Sequence, residues 1–172
     1  MANAFYPGSF DPVTLGHLDV IEYASQIFDK VCVALVKNSD KNAERSKLRY
    51  DLLVNVKQHF KNVFVYDLLE RSSLSVVLAK ELDCSVLIRG VRDITDLTQE
   101  MQLAMNNKVL APEINTIWIP SNQNHLHISS SVLRKIIRCM DGDKDVMLKE
   151  VLKQYIPEYN IPLIVKNRRN IF

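Results

Sequence analysis

"NAFYPGSFDPVTLGHLDVIEYASQIF", residues 3–28, contains one complete structural unit and sets the reading of everything after it. Asn3–Tyr6 is a short apolar run with two aromatics, which reads as a strand. Residues 7–17 form a loop, and Leu18, Ile21, Ala24 and Phe28 then recur at helical spacing. The chain has four glycines, and two of them, Gly8 and Gly16, fall in this loop. Pro7-Gly8 reads as a tight turn that brings backbone N–H groups close to a ligand with no Cβ in the way. Gly16 and His17 fall in the first helical turn, where orphan N–H groups and the helix dipole favour an anion. Thr14 and His17, three residues apart, face the same side, and Ser9 adds a hydroxyl. The set suits a phosphate. A loop whose glycine and proline served only the turn would not explain a histidine where the helix opens. Neither G-x-G-x-x-G nor G-x-x-x-x-G-K-[ST] occurs in the chain.

Outward from this unit, apolar runs recur at 31–36, 63–66, 85–88 and 116–119. They are β-branched and lack clean alternation, as strands buried on both faces do. Helical patterns separate them: Leu48, Leu52, Leu53, Val56 and Phe60; Leu74, Val77, Leu78 and Leu82; Leu97, Met101 and Ala104; Leu133, Ile136, Ile137 and Met140. Met101 and Met105 read as core. Strand–helix alternation of this kind predicts an α/β fold, a Rossmann-like doubly wound five-stranded parallel sheet with helices on both faces. A C-terminal helical segment, with Leu148, Val151, Leu152 and Tyr155, follows the Asp141-Gly142 turn. Residues 1–156 are expected to form one domain, with 157–172 a Pro- and Asn-rich tail. Such a sheet binds ligands outside the carboxyl ends of its strands, so function belongs in loops 7–17, 37–45, 67–73, 89–96 and 120–131.

Composition is that of a soluble globular chain: 47% hydrophobic, 24% charged, net charge +2. That balance points away from nucleic acid, and no apolar run is long enough for a membrane. No basic n-region opens the chain, so a secretory signal is not expected. Cys32, Cys84 and Cys139 are odd in number and set among apolar residues, which predicts buried reduced thiols and a cytoplasmic protein.

Several of the loops add phosphate chemistry. Lys37 and Lys41 follow the second strand. In "IRGVR", 88–92, Arg89 and Arg92 flank Gly90 and Val91 at the end of the fourth strand. Arginine forks match phosphate oxygens, and a glycine lets the backbone approach them. "HLHISSSVLRKII", 125–137, places Ser129, Ser130 and Ser131 at a helix start, where one serves as N-cap and the others could cradle a polyphosphate. His125 and His127 have no third ligand nearby and make no metal site.

Together these residues resemble the phosphopantetheine adenylyltransferases of the T/H-x-G-H nucleotidyltransferase superfamily. The resemblance rests on Thr14-Leu15-Gly16-His17, Lys41, "LIRGVRDITD" at 87–96, "EMQLAMNNK" at 100–108 and "ISSS" at 128–131. It implies direct, in-line adenylyl transfer from ATP to 4′-phosphopantetheine with Mg²⁺, giving dephospho-coenzyme A and pyrophosphate, without a covalent enzyme intermediate. It further implies that His17, Lys41, Ser9 and Arg92 are catalytic. ATP would meet Ser9, Phe10, His17, Gly90, Val91, Arg92, Glu100, His125, Leu126, His127, Ile128, Ser129, Ser130 and Ser131. The acceptor would meet Ser9, Lys41, Ser75 and Arg89. Mg²⁺ would arrive with ATP rather than at a protein metal site, and members of the family form hexamers. The chain departs from the pattern twice. Thr98 replaces a glutamate in "DLTQE", 96–100, and His125-Leu126-His127 stands where aromatics are common, so adenine is expected to be held differently. Rival readings are another nucleotidyltransferase of the superfamily, acting on nicotinamide mononucleotide or with CTP, and a non-catalytic nucleotide-binding module.

Overall fold

A computed structural model describes residues 2–36, 46–71, 74–140 and 145–170. Its centre is a five-stranded parallel sheet in the order β3-β2-β1-β4-β5. The strands are β1 (Asn3–Gly8), β2 (Lys30–Val36), β3 (Val63–Leu68), β4 (Val86–Val91) and β5 (Asn115–Pro120). β1 pairs with β2, Phe5 opposite Cys32, and with β4, Phe5 opposite Leu87. The chain order reverses between β1 and β4, so that crevice is the switch point where an open α/β sheet binds ligands.

The central strands bury both faces, which is why their sequences do not alternate. Ala4, Tyr6, Val31, Val33, Leu35 and Ile88 point into one core, and Phe5, Cys32, Ala34 and Leu87 into the other. The first core is covered by α1 (Leu15–Ile27), α2 (Ser46–Lys57), α5 (Ser130–Cys139), α6 (Asp145–Leu152) and α7 (Ile161–Lys166), through residues such as Ile21, Leu52, Ile137, Leu148 and Ile164. The second is covered by α3 (Ser75–Glu81), through Val76, Leu78 and Ala79.

Three expectations need correction. α4 (Ile94–Leu110) buries none of its residues, and Met101 and Met105 are exposed rather than core. Their helical spacing is real, but the face it marks points away from both cores. Cys139 is exposed, at the last residue of α5, while Cys32 and Cys84 are buried thiols. The segment after Pro157 is also more than a polar tail. It forms α7, with Ile161 and Ile164 in the first core. Asn160, fully buried, accepts a hydrogen bond from Asn55 Nδ2 at 3.0 Å and donates to the Leu52 carbonyl at 3.2 Å, tying this segment to α2. Among the described residues no helix is long and apolar enough to cross a membrane.

Candidate active site

A cavity of about 290 Å³ opens at the switch point, near the lower end for small-molecule sites. Tyr6 and Ser9 line it from the end of β1, and Thr14, Gly16, His17 and Val20 from the start of α1. Gly90, Arg92, Asp96 and Glu100 line it from β4 and α4, and Ser121 and Ile128–Ser131 from the turn into α5.

Thr14 is the N-cap of α1 and His17 its third helical residue. The Thr14 backbone N–H donates to His17 Nδ1 at 3.1 Å, the return half of a capping box with histidine where Glu or Gln is usual. Thr14 Oγ1 lies 3.0 Å from the same nitrogen. Because Nδ1 accepts, the imidazole is neutral and carries its proton on Nε2. The ring is backed by Phe10, edge to face at 5.0 Å, and Phe10 packs on Tyr6 at 5.3 Å. Phe10 is fully buried beneath the cavity rather than lining it. Gly8 ends β1 instead of making a ligand-facing turn: a Cβ there would sit 2.8 Å from two carbons of the Phe10 ring. The glycine is needed for the aromatic platform under His17.

Both arginines of "IRGVR" meet carboxylates of α4. Arg89 donates through Nε and Nη2 to Glu100 at 2.6 and 2.7 Å, a two-pronged and largely buried pair. Burial works against the Arg89 charge, yet Glu100 more than offsets it and the guanidinium pKa rises. Arg92 closes on Asp96 at 2.7 and 3.1 Å, and that hydrogen-bonded pairing raises its pKa. Glu100, Asp96 and Arg92 line the cavity; Arg89 stands outside that lining. The Tyr6 hydroxyl is pushed up by burial, so the phenol stays protonated at any ordinary pH.

At the start of α5 the three serines divide their work. Ser129 is the N-cap and accepts from the Val132 N–H at 3.2 Å. Ser130 Oγ donates to the Pro12 carbonyl at 2.8 Å, and Arg134 donates to the Asp11 carbonyl, so α5 is anchored to the first loop. All three serines face the cavity. Arg49, almost fully buried on α2, donates to the Ser9 carbonyl at 3.4 Å and supports that loop from behind.

Of the other expected residues, Val91 accepts from the Ser121 N–H at 3.0 Å through its carbonyl. Ser75 opens α3, outside this cavity. His127 packs edge-on against Tyr155 at 6.2 Å, and Leu126 is exposed. His125 is turned toward Asp19 of α1. Lys37 and Lys41 lie outside the described residues. The sequence reading missed Tyr6, Asp96, Ser121 and Arg49. Asp96 was legible as the i+4 partner of Arg92. Tyr6 and Ser121 are placed by tertiary packing alone.

The model for cytidylyltransferase-like proteins matches residues 5–136. The phosphopantetheine adenylyltransferase of Natranaerobius thermophilus is 39% identical over 163 residues, covering 92% of this chain and 96% of that protein. The protein of the same name from a Synechococcus strain is 41% identical over 136 residues, covering 78% and 84%. Among solved structures, Plasmodium falciparum nicotinic acid mononucleotide adenylyltransferase complexed with NaAD superposes with a TM-score of 0.71. It is 20% identical and covers 100% of this chain and 99% of that one, a likeness of fold.

Proposed function

This chain belongs to the cytidylyltransferase-like family and, within it, to the phosphopantetheine adenylyltransferases, and we propose from that premise how its residues divide the work. The reaction transfers the adenylyl group of ATP to 4′-phosphopantetheine and releases pyrophosphate, a step of coenzyme A biosynthesis. The observation that carries the proposal is the fixed tautomer of His17 at the floor of the switch-point cavity.

Transfer proceeds by in-line attack of the acceptor phosphate on the α-phosphorus, with no protein nucleophile. Such a step needs placement and charge stabilisation. His17 donates Nε2–H to the α-phosphate, where charge builds in the transition state. Ser9 holds the attacking phosphate beside it, with Lys41 as its counter-charge. Arg92 and the 129–131 turn take the β- and γ-phosphates, helped by the orphan N–H groups of α5. Arg89 takes the acceptor phosphate through the guanidinium edge that Glu100 does not occupy. Glu100 meets the ribose. Gly90 allows close approach, and Ser75 contacts the pantetheine arm. Mg²⁺ would come with ATP, held by the phosphate oxygens rather than by a protein metal site, and would neutralise charge on them.

The chain would act in the cytoplasm as a homo-oligomer, a hexamer by family resemblance. Support for assembly comes from α4 and β5. Ile94 and Val109 are each 82% exposed, and Met101, Met105 and Trp118 line one groove between α4 and β5.

His17→Ala and His17→Gln test the mechanism. The alanine variant should still fold, with a cooperative melting curve lowered by a few degrees for the lost capping bond, and lose about 10²- to 10⁴-fold in kcat. Glutamine keeps an amide donor near the Nε2 position and should lose less. An alanine variant with near wild-type kcat would sink the assignment.

A further inference from the structure

Resting on the ATP site just described, we infer that Asp19 and His125 form a positioning pair. The pair clamps the 121–128 turn onto α1 and thereby presets the nucleotide side of the cavity, with His125 acting through Asp19 rather than by contact with the nucleotide.

His125 Nδ1 lies 3.0 and 2.9 Å from the two carboxylate oxygens of Asp19. Against a carboxylate, Nδ1 must be the protonated nitrogen and the donor. Asp19 Oδ2 also accepts the Asn122 backbone N–H at 3.0 Å. One carboxylate on α1 therefore grips the turn at both ends of its 3-10 segment, Gln123–His125. Neither side chain is freely solvated: Asp19 is 18% and His125 25% exposed, so the bonds are poorly screened. The imidazole is not part of the cavity wall, whereas Ser121 and Ile128 on either side of it are.

The grip is transmitted to the wall. The His125 carbonyl accepts the Ile128 N–H at 2.9 Å, and the Ile128 carbonyl in turn accepts from Arg92 Nη1 at 3.4 Å. A displaced His125 therefore moves Ile128 and one anchor of Arg92 together. The turn also packs over Gly16. A Cβ there would lie 3.6 Å from Ser121 Oγ and 4.0 Å from the His125 carbonyl, so the turn rides directly on the helix that carries His17. Asp19 faces the turn two residues after His17, so one rigid turn of α1 fixes both the imidazole and the loop. The serine turn itself has separate anchors, Ser130 on Pro12 and Arg134 on Asp11. The pair therefore acts on the nucleotide's loop, not on α5 as a whole.

The test uses the full chain with ATP as the probe, in calorimetric titration and in steady-state kinetics. Asp19→Ala, His125→Ala, the double variant and His125→Asn are compared, each with its melting curve. Each alanine change should raise the ATP Kd and KM by about 10- to 150-fold, the span of one charge-assisted bond. The KM for phosphopantetheine should stay within about twofold. The double variant should be no worse than the worse single one, because the two residues act as one unit. Asparagine places its amide N–H where Nδ1 stood, and His125→Asn should recover most of the loss. Additive losses, or His125→Asn as weak as His125→Ala, would overturn the pair in favour of direct contact between imidazole and nucleotide. Unchanged ATP affinity in both single variants would overturn it outright. If Asp19→Ala does not fold, the His125→Ala and His125→Asn comparison decides alone. Wild-type chain that binds ATP but does not adenylylate phosphopantetheine would contradict the proposed acceptor and leave the binding cycle intact as a test of the pair.

Discussion

Phe10 holds its backbone at φ 41°, in the left-handed region that a bulky residue rarely occupies. The surroundings that hold it there are visible: the ring is fully buried, touches Tyr6 and His17, and lies against the bare α-carbon of Gly8. Gly8→Ala puts a methyl group 2.8 Å from ring carbons that cannot swing aside. It should destabilise the chain by about 1–3 kcal/mol, read as a fall in Tm of roughly 2–12 °C. The kcat should fall as well, because the ring that supports His17 is displaced. A variant with wild-type Tm and kcat would refute the platform. The glycines and His17 were legible in the sequence as unusual. Their division of labour was not, because a glycine that serves a ligand and a glycine that serves a ring read alike in one dimension.

At the scale of elements, the strands and α1, α2, α3 and α5 were legible because each carries its own period or cap: apolar runs in β1–β5, Thr14 before α1, Ser129 before α5. α7 was not, since its six residues include Pro162 and its buried face is set by tertiary packing on α6 and the first core. Its weight can be measured. Ile164→Ala should cost about 2–4 kcal/mol and lower Tm by roughly 4–16 °C; a shift under about 1 °C would show that the segment is dispensable. α4 failed in the opposite way. Its apolar residues were legible, but nothing in their spacing tells an inward face from an outward one. If that face joins copies of the chain, Met105→Glu with Val109→Glu should convert the assembly to monomers in light scattering while the melting curve stays cooperative. An unchanged oligomeric mass would remove this face from the interface.

The whole molecule brings together what the sequence scatters. His17, Arg92 and Ser129–Ser131 lie far apart along the chain and share one cavity because strand order reverses between β1 and β4. That convergence follows from the fold, whereas on the proposed reading the choice of acceptor would rest on side chains such as Arg89 and Ser75, which stand outside the cavity's lining. The most direct test of the account is therefore acceptor choice: pyrophosphate release with Mg²⁺-ATP and 4′-phosphopantetheine, nicotinamide mononucleotide or glycerol 3-phosphate, with a parallel CTP series and mass detection of the product. The account predicts turnover with ATP and phosphopantetheine alone, and dephospho-coenzyme A as the product. Turnover with another acceptor or with CTP, or no turnover with any pair, would contradict it.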